Sequence, residues 1–193
     1  MSEVKVNKIS PRSGTDVTLG DSGDTFTVPS GATITNSGTA TGFGDDNTPA
    51  FSAYTSAATT TISTATETKI TLDTEEFDSD GAFDSTTNYR FTVPAGEGGK
   101  YLFSASITYL SLTNVTNMQA VLKKNGSAKG EVVCTYSPAI NSNMECLNGV
   151  WIIDLAATDY IELYGYINGS GTIQYNGNAT SLKTWLSGFK LGV

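Results

Sequence analysis

The chain has 193 residues, 38% of them hydrophobic and 16% charged, with a formal net charge of −8. That balance fits a folded β protein rather than a disordered one, and the length allows one medium domain with an appendage or two small domains. The acidity argues against nucleic acid and against an anionic membrane surface, both of which are met by Lys and Arg.

No stretch approaches the ~20 apolar residues of a membrane span. Met1–Asn7 has no apolar signal core, so the chain is expected to be made and folded in a cytoplasm. From the N-terminus an internal repeat follows. Ser-Gly dipeptides at Ser13-Gly14, Ser22-Gly23, Ser30-Gly31 and Ser37-Gly38 are spaced by nine, eight and seven residues. Between them sit β-prone tripeptides, Val17-Thr18-Leu19, Phe26-Thr27-Val28 and Thr33-Ile34-Thr35. Gly permits a turn with positive φ, and the neighbouring Ser can bond the local backbone. Each unit therefore reads as one short strand and one tight turn. One chain cannot bury a core with so few apolar residues, and stacking on identical neighbours is how such repeats become stable. A flexible Thr/Gly/Ser linker is the alternative.

Thr39 to Pro49 read as a hinge, which puts an attachment segment and β-repeat stalk at 1–45 and a knob at 46–193. Knob strands are expected at Phe51–Tyr54, Lys69–Leu72, Tyr89–Val93 and Tyr101–Tyr109. Another, Gln119–Lys124, meets Asn125-Gly126, a strong hairpin signal. Further strands are expected at Glu131–Tyr136, Gly149–Leu155, Tyr160–Ile167, Thr172–Tyr175 and Leu182–Leu191. Helical spacing is absent, so the fold class is all-β, a ten-strand sandwich or jelly roll.

The run Phe83-Asp84, Thr87, Tyr89-Arg90-Phe91 and Gly99-Lys100-Tyr101-Leu102-Phe103 resembles the signature of the globular head of complement component one-q, within the tumour necrosis factor superfamily. Asp154–Leu163 resembles the family's penultimate hairpin and Ser187-Gly188-Phe189 its closing strand, so the likeness covers roughly Phe51 to Val193. Two departures are visible: an inserted Gly96-Glu97-Gly98 and one extra residue between Phe83 and Phe91. The resemblance implies a ten-strand jelly roll assembling as a homotrimer, with aromatic residues along the three-fold interface. Tyr101 and Phe103 point to one face, either the core or that interface. Ser-Gly-punctuated rungs ahead of such a knob resemble the shafts of virus and bacteriophage fibres.

Candidate chemistry is sparse. With no His in the chain, nucleophilic triads are excluded and zinc lacks ligands. No phosphate-binding Gly loop is present. Paired carboxylates for glycoside hydrolysis would need a longer groove than a small knob offers. Six acids fall within twelve residues, at Asp73, Glu75, Glu76, Asp78, Asp80 and Asp84. Asp78-Ser79-Asp80-Gly81 is similar to part of a calcium loop, but no Glu closes it; an Asx-turn loop facing solvent is the other reading. Cys134 and Cys146 are too few for a disulfide framework; a cross-strand bridge or two separate half-buried thiols are both open. Asn114-Val115-Thr116-Asn117 and Asn141-Ser142-Asn143-Met144 read as polar loops at strand ends, able to bind a ligand or serve as ordinary turns. Asn114-Val115-Thr116 matches a glycosylation acceptor, which carries no weight without a secretory signal.

No catalytic, cofactor or metal residues are assigned, and no cofactor is expected beyond the open question of calcium. The chain is expected to be a non-enzymatic phage virion fibre or spike, made in the host cytoplasm. Its expected partners are itself as a homotrimer, other virion proteins through the N-terminal segment, and a host-surface saccharide or protein. A capsid-decorating or tail-structural fibre, or a free bacterial one-q-like lectin, are the alternatives.

Overall fold

The computed structural model describes residues 8–35, 37, 47–178, 180 and 182–192. The chain divides into two units, Met1–Phe43 and Gly44–Val193.

In the first unit the three tripeptides form no strand among the described residues 8–35. The turns are formed. Asp24 N–H donates to the Asp21 carbonyl at 3.0 Å, and Ala32 N–H to the Pro29 carbonyl at 3.0 Å. Gly23 and Gly31, third in each turn, have φ of 96° and 86°, the type II geometry that calls for glycine. A three-residue rung becomes a strand only against a neighbouring backbone, and the single chain provides none there.

Among its described residues the second unit contains eleven strands: β1 Ala50–Tyr54, β2 Thr60–Thr61, β3 Thr68–Lys69, β4 Thr74–Asp78, β5 Phe83–Asp84, β6 Arg90–Thr92, β7 Gly99–Lys124, β8 Ser127–Leu155, β9 Tyr160–Ser170, β10 Gln174–Tyr175 and β11 Trp185–Lys190. No helix occurs among the described residues. The separate strands expected at Tyr101–Tyr109 and Gln119–Lys124 are one continuous β7, and those at Glu131–Tyr136 and Gly149–Leu155 are one β8. These two strands, of 26 and 29 residues, pair along most of their length. Asn125 and Gly126 join them with φ of 51° and 79°, both positive as a type I′ hairpin requires.

This long hairpin belongs to both layers of the sandwich. The first half of β7 pairs β11, then β1 and β4 follow outward; the second half pairs β9, which carries β3 and β6 end to end, with β5 beyond β6. β8 accompanies β7 on its other side in both layers. Each layer thus has five strand positions, giving the ten of a jelly roll. The bend lies where the β7–β8 register slips, between Leu112 and Asn117, with Ser111 and Asn114 at φ of 58° and 48°. A bulge adds residues to one strand and turns it, which lets a single strand change sheets.

Aromatic rings from both layers meet between them. Phe51 of the first layer stacks on Phe91 of the second at 4.9 Å between centroids, and Phe91 meets Tyr101 at 5.5 Å. Tyr101 and Phe103 are both fully buried within one chain, so they belong to the core and not to a subunit interface. Burial, with Glu97 nearby, pushes the Tyr101 phenol up to about 12. Its hydroxyl donates to the Glu97 carbonyl at 2.6 Å, and Lys190 Nζ lies 3.1 Å from Glu97 Oε2. The inserted Gly96-Glu97-Gly98 is thereby seated on the core. Ser187-Gly188-Phe189 has an equally local cause. A Cβ at Gly188 would stand 2.5 Å from the Phe103 ring and 3.0 Å from Phe51, so the aromatic pair requires glycine there. At the β8 side, the Trp151 indole lies over Gly130 and Gly149 and closes the gap between layers.

Candidate interaction surfaces

Strand alternation that sends Tyr101 and Phe103 inward sends Leu102 and Ser104 outward. The first layer's outer face is consequently set by register. One row reads Ile152, Leu102, Phe189 and Ala50 across β8, β7, β11 and β1. The next reads Val150, Ser104, Ser187, Ser52 and Phe77, ending on β4. Ile152 and Val150 are 64% and 65% exposed and Phe77 is 52% exposed. Between the rows a shallow cavity of about 270 Å³ is lined by Ala50, Phe51, Phe77, Ser187, Gly188 and Phe189, with Asn47 at its rim. Beside this face, the outer edge of β8 has no strand partner among the described residues. Apolar side chains next to an open edge are a template for another chain.

The second layer's outer face is the reverse. Glu162, only 5% exposed, meets Lys69 Nζ at 2.5 Å, and that ammonium also donates to the Asn88 carbonyl at 3.2 Å. Lys123 pairs with Glu67 at 2.5 Å and sits 4.0 Å from the centre of the Tyr164 ring. Arg90 lies 4.2 Å above the Tyr160 ring. On this face Lys69 and Lys123 are paired with carboxylates of the same chain and Arg90 with an aromatic ring.

The acidic stretch caps turns. Asp84 accepts from the backbone N–H groups of Thr86, Thr87 and Asn88 at 3.0, 2.8 and 3.1 Å, and from the Asn88 amide at 2.6 Å. The Thr87 N–H first, then Asn88 and Thr86, hold its carboxyl well below the usual carboxylate range. Asp78 accepts from Phe83 N–H at 2.7 Å and Asp80 N–H at 3.2 Å. Asp73 accepts from Ser56 N–H at 2.8 Å, and Glu75 from the Ser85 hydroxyl at 2.6 Å. These side chains point to separate donors. Among the described residues no three His, Cys, Asp or Glu converge as a metal site.

The two polar segments expected as loops are inside strands: Asn114–Asn117 in β7 and Asn141–Met144 in β8. They read as loops because the bulge that turns the hairpin is built from turn residues. The structure brings them together at that corner. Asn114 N–H donates to Asn141 Oδ1 at 3.0 Å, and Asn114 Nδ2 to Ser170 Oγ at 3.3 Å. Cys134 and Cys146 are free, the first half-buried and the second exposed, and no bridge joins them. Cys146 Sγ sits 3.1 Å from Ser106 Oγ.

The apolar outer face was not singled out from the sequence, although a signal for it exists. Val150-Trp151-Ile152-Ile153 is apolar on both faces of one strand, a pattern that asks for cover on both sides.

No family model and no curated protein matches the sequence. Solved structures do resemble it. The globular domain of zebrafish complement 1qA superposes with a TM-score of 0.51 at 15% identity, covering 74% of this chain and 97% of that one. The chain shares that jelly-roll fold. Murine APRIL at pH 5.0 gives a TM-score of 0.53 at 12% identity, over 74% of this chain and 98% of that one. The Eiger TNF of S. frugiperda gives 0.53 at 12%, over 74% and 91%. The one-q and tumour-necrosis-factor resemblance read from Phe83 to Phe103 is therefore matched in the fold.

Proposed function

We propose that the protein is a non-enzymatic, homotrimeric knob on a β-repeat stalk, part of a bacteriophage fibre or spike that attaches the virion to a host surface. The apolar outer face of the first layer, beside the open edge of β8, carries the trimer. An edge from one copy against a face of the next is a heterologous contact, which forms a ring when the rotation closes. Three copies bury Val150, Ile152 and Phe77 around one axis. The fold likeness supports self-association as a trimer.

Attachment would use the corner of Asn114, Asn141 and Ser170, where amides and hydroxyls both donate and accept and so suit saccharide hydroxyls or a polar protein loop. Three weak sites on one rigid trimer gain ~10²–10⁴-fold by avidity. The N-terminal segment would dock on other virion proteins. Native mass of the full chain is expected to show three copies; a stable monomer would remove the reading. Immunogold labelling of particles with antibody against residues 47–192 then places the protein. Label at tail or spike tips is expected. Label spread over the head would mean a decorating fibre, and unlabelled particles a free lectin.

A further inference from the structure

Five exposed apolar side chains of the N-terminal unit, Val17, Leu19, Phe26, Val28 and Ile34, are locked in phase to its turns. Val17, Phe26 and Ile34 each stand three residues after a turn glycine, Gly14, Gly23 and Gly31. Thr18, Thr27 and Thr35 each follow, and Leu19 and Val28 complete two of the rungs. All three glycines have positive φ, at 77°, 96° and 86°. In an extended rung, residues two apart share a face, so Val17 with Leu19 and Phe26 with Val28 make one apolar stripe and the threonines make the opposite one. That stripe is open to water: Leu19 is 62% exposed, Phe26 69% and Ile34 53%.

We infer that these stripes are covered by the same stripes of two further copies, in register, so that the N-terminal unit is a second assembly element with Val17, Phe26 and Ile34 around a common axis. This rests on the trimer proposed above. The occupant follows from the period. The two hydrogen-bonded turns repeat after eight residues, from Asp21–Asp24 to Pro29–Ala32, whereas Val17 to Phe26 spans nine. A partner of any other period would fall out of step within a rung or two; a copy of this segment keeps step through both spacings. Rungs of three residues also cannot pair with their own chain, and copies supply the missing backbone partner. Threonine on the outward stripe is a β-branched residue that tolerates water, which fits a rung with one covered side.

The test uses the full chain in which Cys134→Ser and Cys146→Ser remove the native thiols. Phe26→Cys and Thr27→Cys are compared, with Ile34→Cys and Thr35→Cys as a second pair one rung on, in case Phe26 is needed for assembly. After mild oxidation, non-reducing gels are expected to show interchain dimers for Phe26→Cys and Ile34→Cys. In a three-fold cluster, at most about two of every three chains can link. Thr27→Cys and Thr35→Cys are expected to link at least several-fold less. A three-chain native mass with no linking, or with equal linking on both stripes, overturns this inference and leaves the knob trimer standing. A one-chain native mass overturns both.

Discussion

Phe26-Thr27-Val28 and Tyr101-Leu102-Phe103 both set large apolar residues two apart on one side of an extended chain, and the fates of those residues are opposite. In the knob, Tyr101 and Phe103 are fully buried; in the repeat, Phe26 is 69% exposed and Val28 38%. The difference lies in the neighbours. β7 has β8 on one side and β11 or β9 on the other, long enough to bring a second layer across its face. The repeat has turns every eight or nine residues and forms no strand among the described residues. Alternation therefore states which side of a strand is to be covered, and chain topology decides whether one copy suffices.

Substitutions can break this contrast. Phe103→Ala leaves a cavity among Phe51, Phe91 and Tyr101 and is expected to cost about 3–5 kcal/mol, read as a lower urea midpoint of the knob. Phe26→Ala, the same change in the other setting, is expected to leave that midpoint where it was; an equal drop would erase the distinction. Val150→Glu with Ile152→Glu is expected to weaken the three-chain assembly, read in sedimentation as dissociation at higher protein concentration than the unsubstituted chain, while near-ultraviolet dichroism stays native, because it charges the outer face and spares the core. Smaller effects sharpen the picture. Tyr101→Phe removes only the hydroxyl donated to Glu97 and is expected to cost about 0.5–1.5 kcal/mol in the same titration.

Acid acts through turn carboxylates. Lys124 first, then Asn125 and the Ala156 N–H, depress Asp159 to about 2. A depressed folded value means that its stabilisation is complete above the ordinary carboxylate range of about 4 and is lost as pH falls through about 2. Melting measured from pH 5 downward is expected to decline over that window, and Asp159→Asn to flatten the decline. A chelator is expected to leave the melting temperature unchanged, since Asp78 and Asp84 already accept from backbone N–H groups. A fall of several degrees would return calcium to the acidic loop.

Local chemistry was legible wherever one or two residues decide the geometry. Asn125-Gly126 marks its hairpin because only such a pair takes two positive φ values without strain, and Ser187-Gly188-Phe189 marks a place where backbone meets aromatic rings. The acidic stretch was readable as Asx turns for the same reason. Continuity of β7 and β8 was not legible. The bend at Ser111–Asn117 uses Ser, Asn and Thr, the residues that elsewhere end strands, and pairing across a bulge has no local signature. Lys69–Leu72 shows the converse. Ile70 and Leu72 are buried as their alternation requires, but strand pairing covers only Thr68–Lys69. Interaction surfaces were least legible, because an outward face is apolar only in comparison with strands distant in sequence, as when Phe77 joins Val150 through β1, β11 and β7.

The pairing of β1 with β11 fixes where variation is tolerated. Lys190 N–H donates to the Pro49 carbonyl at 3.1 Å, and Gly192 N–H to Asn47 Oδ1 at 3.4 Å, so the chain enters and leaves the knob at one pole. Tyr101 pairs with Lys190 near that pole, and the β7 bend lies about ten residues on, a rise of about 30 Å. Insertions at the bend would therefore lengthen the far pole without disturbing β1 and β11, and a tag appended after the last strand would emerge beside the start of β1 and leave the far pole clear. Such a layout lets one pole vary in length while the strands that open and close the fold stay unchanged.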